Sequence, residues 1–97
     1  MQLGKIVGTI VSTQKDEKLE GIRLHVIKFL DVNCQETGGM VVAVDSVGAG
    51  LGEVVLVAAG SAARQTTLTQ GKPVDTVIMA IVDHLEVHGE TRYNKNA

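Results

Sequence analysis

At 97 residues the chain fits a single domain with one compact core and little room for a deep internal active site. Its 44% hydrophobic and 21% charged residues are ordinary for a globular protein, while a net charge of −2 and only two aromatic side chains, Phe29 and Tyr93, argue against a nucleic-acid or anionic-membrane surface. Cys34 is the only cysteine, which excludes an intramolecular disulfide and suits a cytoplasmic protein.

No apolar run approaches the roughly 18 residues of a membrane span, and a secretory leader is not expected from Met1–Lys5. The run from Ile6 to Thr13 is β-branched with small residues between, which suits a pleated, half-buried surface. A charged break, Gln14 to Lys18, and Leu19-Glu20-Gly21 lead to a second strand, Ile22 to Leu30. There Ile22, Leu24 and Val26 alternate with Arg23 and His25 at strand period. The phase then shifts to Ile27, Phe29 and Leu30, which predicts a bulge or twist. Asp31 to Gly39 reads as a polar loop ending in Gly38-Gly39.

Met40 to Val47 is a third strand, Gly48-Ala49-Gly50-Leu51-Gly52 a turn, and Glu53 to Ala59 a fourth strand stopped by Gly60. Ser61 to Gln65 predicts a short helical turn with Ser61 as N-cap. A polar connection, Thr66 to Lys72, ends at Pro73, and Thr76 to Asp83 is the fifth strand, which His84 to Val87 would extend. Gly89 to Ala97 is polar and expected to fray. The domain expectation is one barrel over residues 1–88 and a flexible tail over 89–97. Five short strands without a long helix suggest an all-β fold, a small five-stranded barrel of the OB type with one short helical turn.

An ordered set of motifs points further. The chain opens Met1-Gln2-Leu3-Gly4-Lys5-Ile6-Val7-Gly8-Thr9-Ile10-Val11-Ser12-Thr13-Gln14-Lys15 and continues through Leu19-Glu20-Gly21 and Leu24. Val42-Ala43-Val44-Asp45-Ser46-Val47-Gly48-Ala49-Gly50-Leu51-Gly52-Glu53 follows, then Val55-Leu56-Val57, Gly60-Ser61-Ala62-Ala63-Arg64, Pro73-Val74-Asp75 and Ala80-Ile81-Val82-Asp83. Together these resemble the EutN/CcmL family of bacterial microcompartment vertex proteins, over roughly residues 1 to 83. The resemblance implies an OB-related barrel, a cyclic homopentamer, and a structural role at shell corners beside hexameric shell proteins, with no reaction, cofactor, nucleic acid or membrane partner. The family often has two serines before the alanine–arginine pair; here Ser61 is followed by Ala62.

The candidate chemistry is thin. Gly48, Gly50 and Gly52 precede a strand, Glu53 to Ala59, whereas a phosphate loop opens a helix; a tight turn or close subunit packing is expected, with Asp45, Glu53 and Asp83 at the same turn or interface. Asp45 and Asp83 lie in or just after apolar strands and need partners, for which Arg64 is a candidate. Gly60, Ser61, Ala62, Ala63 and Arg64 form a small-residue loop able to approach its symmetry copies at a fivefold axis, or else a turn packed within one subunit.

His84 and His88, if extended, lie roughly 13 Å apart, too far for one metal. Cys34 has no evident base, and an incidental thiol is expected. The competing function, an OB-type single-stranded nucleic-acid-binding module, wants a basic groove and stacking aromatics that the composition does not supply.

Overall fold

The computed structural model describes residues 1–12, 16–19, 21–71 and 74–96. Five strands, β1 (Gln2–Ile10), β2 (Leu24–Leu30), β3 (Glu36–Asp45), β4 (Val54–Ala59) and β5 (Thr76–Ile81), close into a barrel in the order β1-β2-β3-β5-β4. Every join is antiparallel except β3 with β5, which run parallel and meet only at Val44↔Val77 and Asp45↔Ile78. This is the strand order of an OB-type barrel. A 3-10 turn, Glu17–Leu19, precedes β2, and a second, Gly60–Arg64, follows β4. Thr13, Gln14 and Lys15 of the first run and charged break, Glu20, and the Lys72–Pro73 boundary lie outside the described residues, as does Ala97.

The barrel is filled by Ile6, Ile27, Ala43, Ala49, Val55, Val57 and Ile78, one layer of aliphatic side chains from all five strands and the β3–β4 loop. A second cluster, Ile22, Val44, Ala58, Ala63, Val74 and Val77, packs under the Gly60–Arg64 turn. Burial of such side chains contributes about 25 cal/mol per Å² of apolar surface removed from water. The fit is close at Gly4, where a Cβ would collide with the Ile27 Cγ2 methyl.

Two expectations are corrected. In β2 the inward residues are His25 and Ile27, both essentially inaccessible, while Leu24 and Val26 face outward and are half-buried. The polar residue of the alternation therefore sits inside. The irregularity expected after Val26 is present between Lys28 and Leu30 of β2, where burial passes from Ile27 to Leu30, and a second lies between Ile6 and Gly8 of β1. Further along, only Asp31–Gln35 forms a turn, closed by Asp31 N–H to the Gln35 carbonyl at 2.9 Å, with Asp31 Oδ1 accepting the Asn33 and Gln35 amides. Strand β3 already begins at Glu36, because Gly39 lets the Phe29 ring lie across it; a Cβ there would be 2.9 Å from the ring.

Beyond the barrel, β6 (His84–Val87) and β7 (Glu90–Asn94) form a separate two-stranded hairpin. The segment expected to fray carries β7, and His84–Val87 pairs with it rather than extending β5. The turn is the two residues His88 and Gly89, with φ of 54° and 78°. Positive φ at both positions is what a type I′ hairpin requires. The expected 88/89 boundary thus falls on a hairpin tip.

Candidate assembly surface

Asp45 ends β3 and is nearly inaccessible. Its Oδ1 accepts the backbone amides of Val47 (2.9 Å), Gly48 (2.9 Å) and Ala49 (3.2 Å), and its Oδ2 lies 3.1 Å from His25 Nε2. Burial alone raises a carboxyl pKa, but the amides of Val47, Ala49 and Gly48 and the His25 ring outweigh it and hold Asp45 below its ordinary value. Within the single chain Arg64 pairs with neither aspartate: its Nη1 donates to the Val74 carbonyl at 3.2 Å, and among the described residues no ion pair joins it to Asp45 or Asp83. Two carboxylates together bind four successive amides, since Glu53 Oε1 accepts the next one, Gly50 N–H, at 2.5 Å. The turn that places them needs Gly48 at φ 77° and Gly52 at φ 85°.

Glu53 also reaches the hairpin. Its Oε2 lies 2.6 Å from Lys95 Nζ, just past β7, and the Lys95 amide donates to the Asp83 carbonyl at 2.9 Å. The Lys95 bond and then the Gly50 amide lower the Glu53 carboxyl; the same bond raises Lys95. Asp83 itself is exposed and marks the exit from the barrel.

The outer face of β1, β2 and β3 is apolar around Ile10, Val26 and Val42 and carries Lys5 and Lys28 beside Met40. Register places Gly8 beside Val26 and Val26 beside Val42, and Ile10 beside Leu24. Ile10 (39%), Val42 (43%) and Met40 (58%) are substantially exposed, with Val7 at the β1 bulge. A contiguous apolar wall rimmed by polar residues marks an interaction surface.

The Gly60–Arg64 turn starts without the expected Ser61 cap: Ala59 occupies the N-cap position and no side chain caps the turn. Ala63 is fully buried and its carbonyl accepts Thr69 Oγ1 at 2.6 Å, while Gly60, Ser61, Ala62 and Arg64 are exposed. One residue anchors the turn and the others face solvent.

The remaining candidates do not converge. His84 Nε2 lies 3.2 Å from Thr91 Oγ1 on the hairpin, His88 sits at its tip, and no group of three potential metal ligands occurs among the described residues. Cys34 stands in the Asp31 turn, its thiol pushed up by burial and then by the Asp31 charge. Tyr93 pairs with Leu85. No described helix is long and apolar enough to cross a membrane.

Sequence reasoning missed His25 and Lys95. The signal for His25 was the buried Asp45, which needs a partner on a neighbouring strand. Lys95, in a segment read as tail, offered no comparable signal.

The geometry can hold the Asp45–Glu53 loop in place and present an apolar wall; among the described residues it brings no nucleophile to a base. Residues 1–83 match the family model described as ethanolamine utilisation protein EutN/carboxysome. The carboxysome shell vertex protein CcmL of Synechocystis sp. is 45% identical over 95 residues, 98% of this chain and 95% of that protein. Among solved structures, CcmL of Gloeobacter violaceus superposes with a TM-score of 0.95 at 39% identity, covering 100% of both chains. The GrpN pentameric microcompartment shell protein of Rhodospirillum rubrum gives 0.82 at 44% identity over 90% of this chain and 99% of that one. A barrel filled by its own strands, matched along its length by these proteins, makes this chain a member of the EutN/CcmL family.

Proposed function

We propose that the protein is a structural shell subunit whose five copies close into a ring and fill a fivefold vertex of a bacterial microcompartment. The observation that carries this is the match, over 98% of the chain, to a carboxysome shell vertex protein, together with a pentameric shell protein of the same fold. The physical need is geometric. Hexagonal tiles alone cover a plane, and closing a polyhedron requires fivefold corners. A head-to-tail contact whose rotation closes after five copies supplies one.

In this reading the wall of Ile10, Leu24, Val26, Val42 and Met40 faces the next copy. The exposed Gly60, Ser61 and Ala62 of the small-residue turn ring the central opening, with Arg64 beside it. The Asp45–Glu53 loop holds its shape at the subunit boundary, and the outer rim meets hexameric shell proteins. The chain carries no reaction of its own. Support for this comes from His25 and Asp45: they pair inside the barrel, where the nearest interactions are structural. The single-strand-binding reading finds no stacking platform, since Phe29 lies against Gly39 and Tyr93 beside Leu85.

Native mass measurement on the full chain tests the ring, with a five-copy mass expected and any other stoichiometry overturning it. Deleting the gene tests the vertex role. Elongated or unclosed compartments with unchanged enzyme content are expected, and normal polyhedra in a strain with no second vertex gene would refute it.

A further inference from the structure

His25 is 2% exposed, and its ring is held from one side only. Nε2 lies 3.1 Å from Asp45 Oδ2, and no described residue bonds Nδ1. Asp45, kept ionised by the loop amides, can only accept, so the ring hydrogen sits on Nε2. Nδ1 is left as a lone pair inside the barrel wall. A second proton on the ring has nowhere else to go. It turns Nδ1 into a buried donor without an acceptor, and an orphaned N–H is tolerated less readily than an unmet lone pair.

Relief is close by. His25 forms part of the wall of a cavity of about 260 Å³ where β1 ends and β2 begins, lined also by Thr9, Ser12, Ile22 and Arg23. Thr9 is the register partner of His25 and Ile10 that of Leu24, so the last pairs of the β1–β2 ladder border the same cavity. The charges around the ring come from three places. Asp45 reaches it from β3. Glu53, paired with Lys95, feels the Asp45 charge from the start of β4. Arg23, just before β2, is exposed at the cavity and has no ion-pair partner among the described residues. Opposite His25, β1 presents Thr9 and β3 presents Ala43, and the core side chains from β4 and β5 are aliphatic. An imidazolium is thus attracted to Asp45 through Nε2 and meets the like charge of Arg23 on the cavity side.

We propose that His25 makes this end of the barrel acid-sensitive: a proton taken up on Nδ1 draws water in through the cavity and parts the Thr9–Ile10 end of β1 from Leu24–His25, while Asp45 keeps its hold on Nε2 and on the loop amides. The device is read from a single barrel and does not need the ring. In the ring, Ile10 carries its effect to the wall that faces the next copy, so that mild acid loosens that end of the contact.

The test is nuclear magnetic resonance on the full chain from about pH 8 to pH 5, the span in which histidines as a class change charge. Asp45 stays ionised throughout it. The imidazole ¹⁵N signals should show hydrogen on Nε2 and a bare Nδ1 at the upper end, then a proton added at Nδ1 as the pH falls. Over the same step, hydrogen-exchange protection of the Thr9, Ile10, Leu24 and His25 amides, corrected for intrinsic rates, should drop at least about tenfold relative to Val55 and Val77. His25→Gln keeps a donor for Asp45 and does not titrate; His25→Leu fills the site without a proton. Both should remove the drop. Hydrogen on Nδ1 in the neutral ring, a ring still neutral at the lower end, protonation without loss of protection, or the same loss in both variants would each overturn the proposal. Native mass on the same samples keeps the readings apart: a copy number other than five overturns the ring, and the acid response is then scored on whatever assembly carries the barrel.

Discussion

The barrel and the hairpin are both built from antiparallel strands, yet they are held by different means. The barrel closes on itself: aliphatic side chains fill it, and the buried pair of His25 with Asp45 is internal. The hairpin has a two-residue turn, a cross-strand Leu85–Tyr93 pair and one ion pair at its base. The first is a fold and the second an appendage. The lesson is that strand content alone does not tell which part of a small β-protein stands by itself; the number of neighbours each strand has does.

That contrast can be broken most severely at Asp45. Asp45→Ala leaves three loop amides and a buried histidine without their partner, and is expected to cost the barrel about 3–5 kcal/mol. Thermal unfolding checks this, and an unchanged melting temperature would deny the pair its place in the core. Next comes Gly4→Ala, which pushes a methyl into Ile27 and is expected to cost about 1–3 kcal/mol by the same measurement.

A smaller, graded effect is pH dependence. Asp45 is lowered in the fold, so its contribution is complete above the ordinary carboxylate value and is lost as pH falls through the lowered one. Wild-type barrel stability should therefore fall in acid, below the ordinary aspartate range, and Asp45→Asn should flatten that part of the profile. The smallest expected effect is Lys95→Ala. Its ion pair is exposed, so barrel melting should hardly change, while exchange at the hairpin base should quicken. A large drop in barrel stability on losing Lys95 would erase the distinction between the two regions.

How far the sequence could be read follows the same division. The β-branched runs Ile6 to Thr13, Ile22 to Leu30 and Glu53 to Ala59 announced barrel strands because each alternates or runs apolar, as a strand buried on one side or on both does. The inside of β2 was misread because Leu24 and Val26 look like core while His25 looks like surface. Alternation reveals a period; which set faces in depends on Asp45, twenty residues away, and on the apolar wall having its own use. Gly38-Gly39 read as loop because their strand role depends on Phe29 across the sheet. The hairpin was missed because Gly89 to Asn94 has almost no apolar content, and its turn signal, His88-Gly89, is weaker than Asn-Gly or Asp-Gly. Of the proposed surfaces, the small-residue turn was readable from the sequence; the apolar wall was not, since it exists only through the register of three strands.

The β3–β5 seam has a further consequence. Those strands touch at just two residue pairs, with Ser46 Oγ donating to the Ile78 carbonyl at 2.6 Å just beyond, so most of β3 keeps one backbone edge without a stave beside it. An open edge of this kind is a template on which identical chains stack without limit. Here it is blunted by Glu36, by Gly38 at φ 97° and by the irregularity opposite Lys28–Leu30. A crooked border that carries Glu36 disfavours such stacking, strand on strand, along β3.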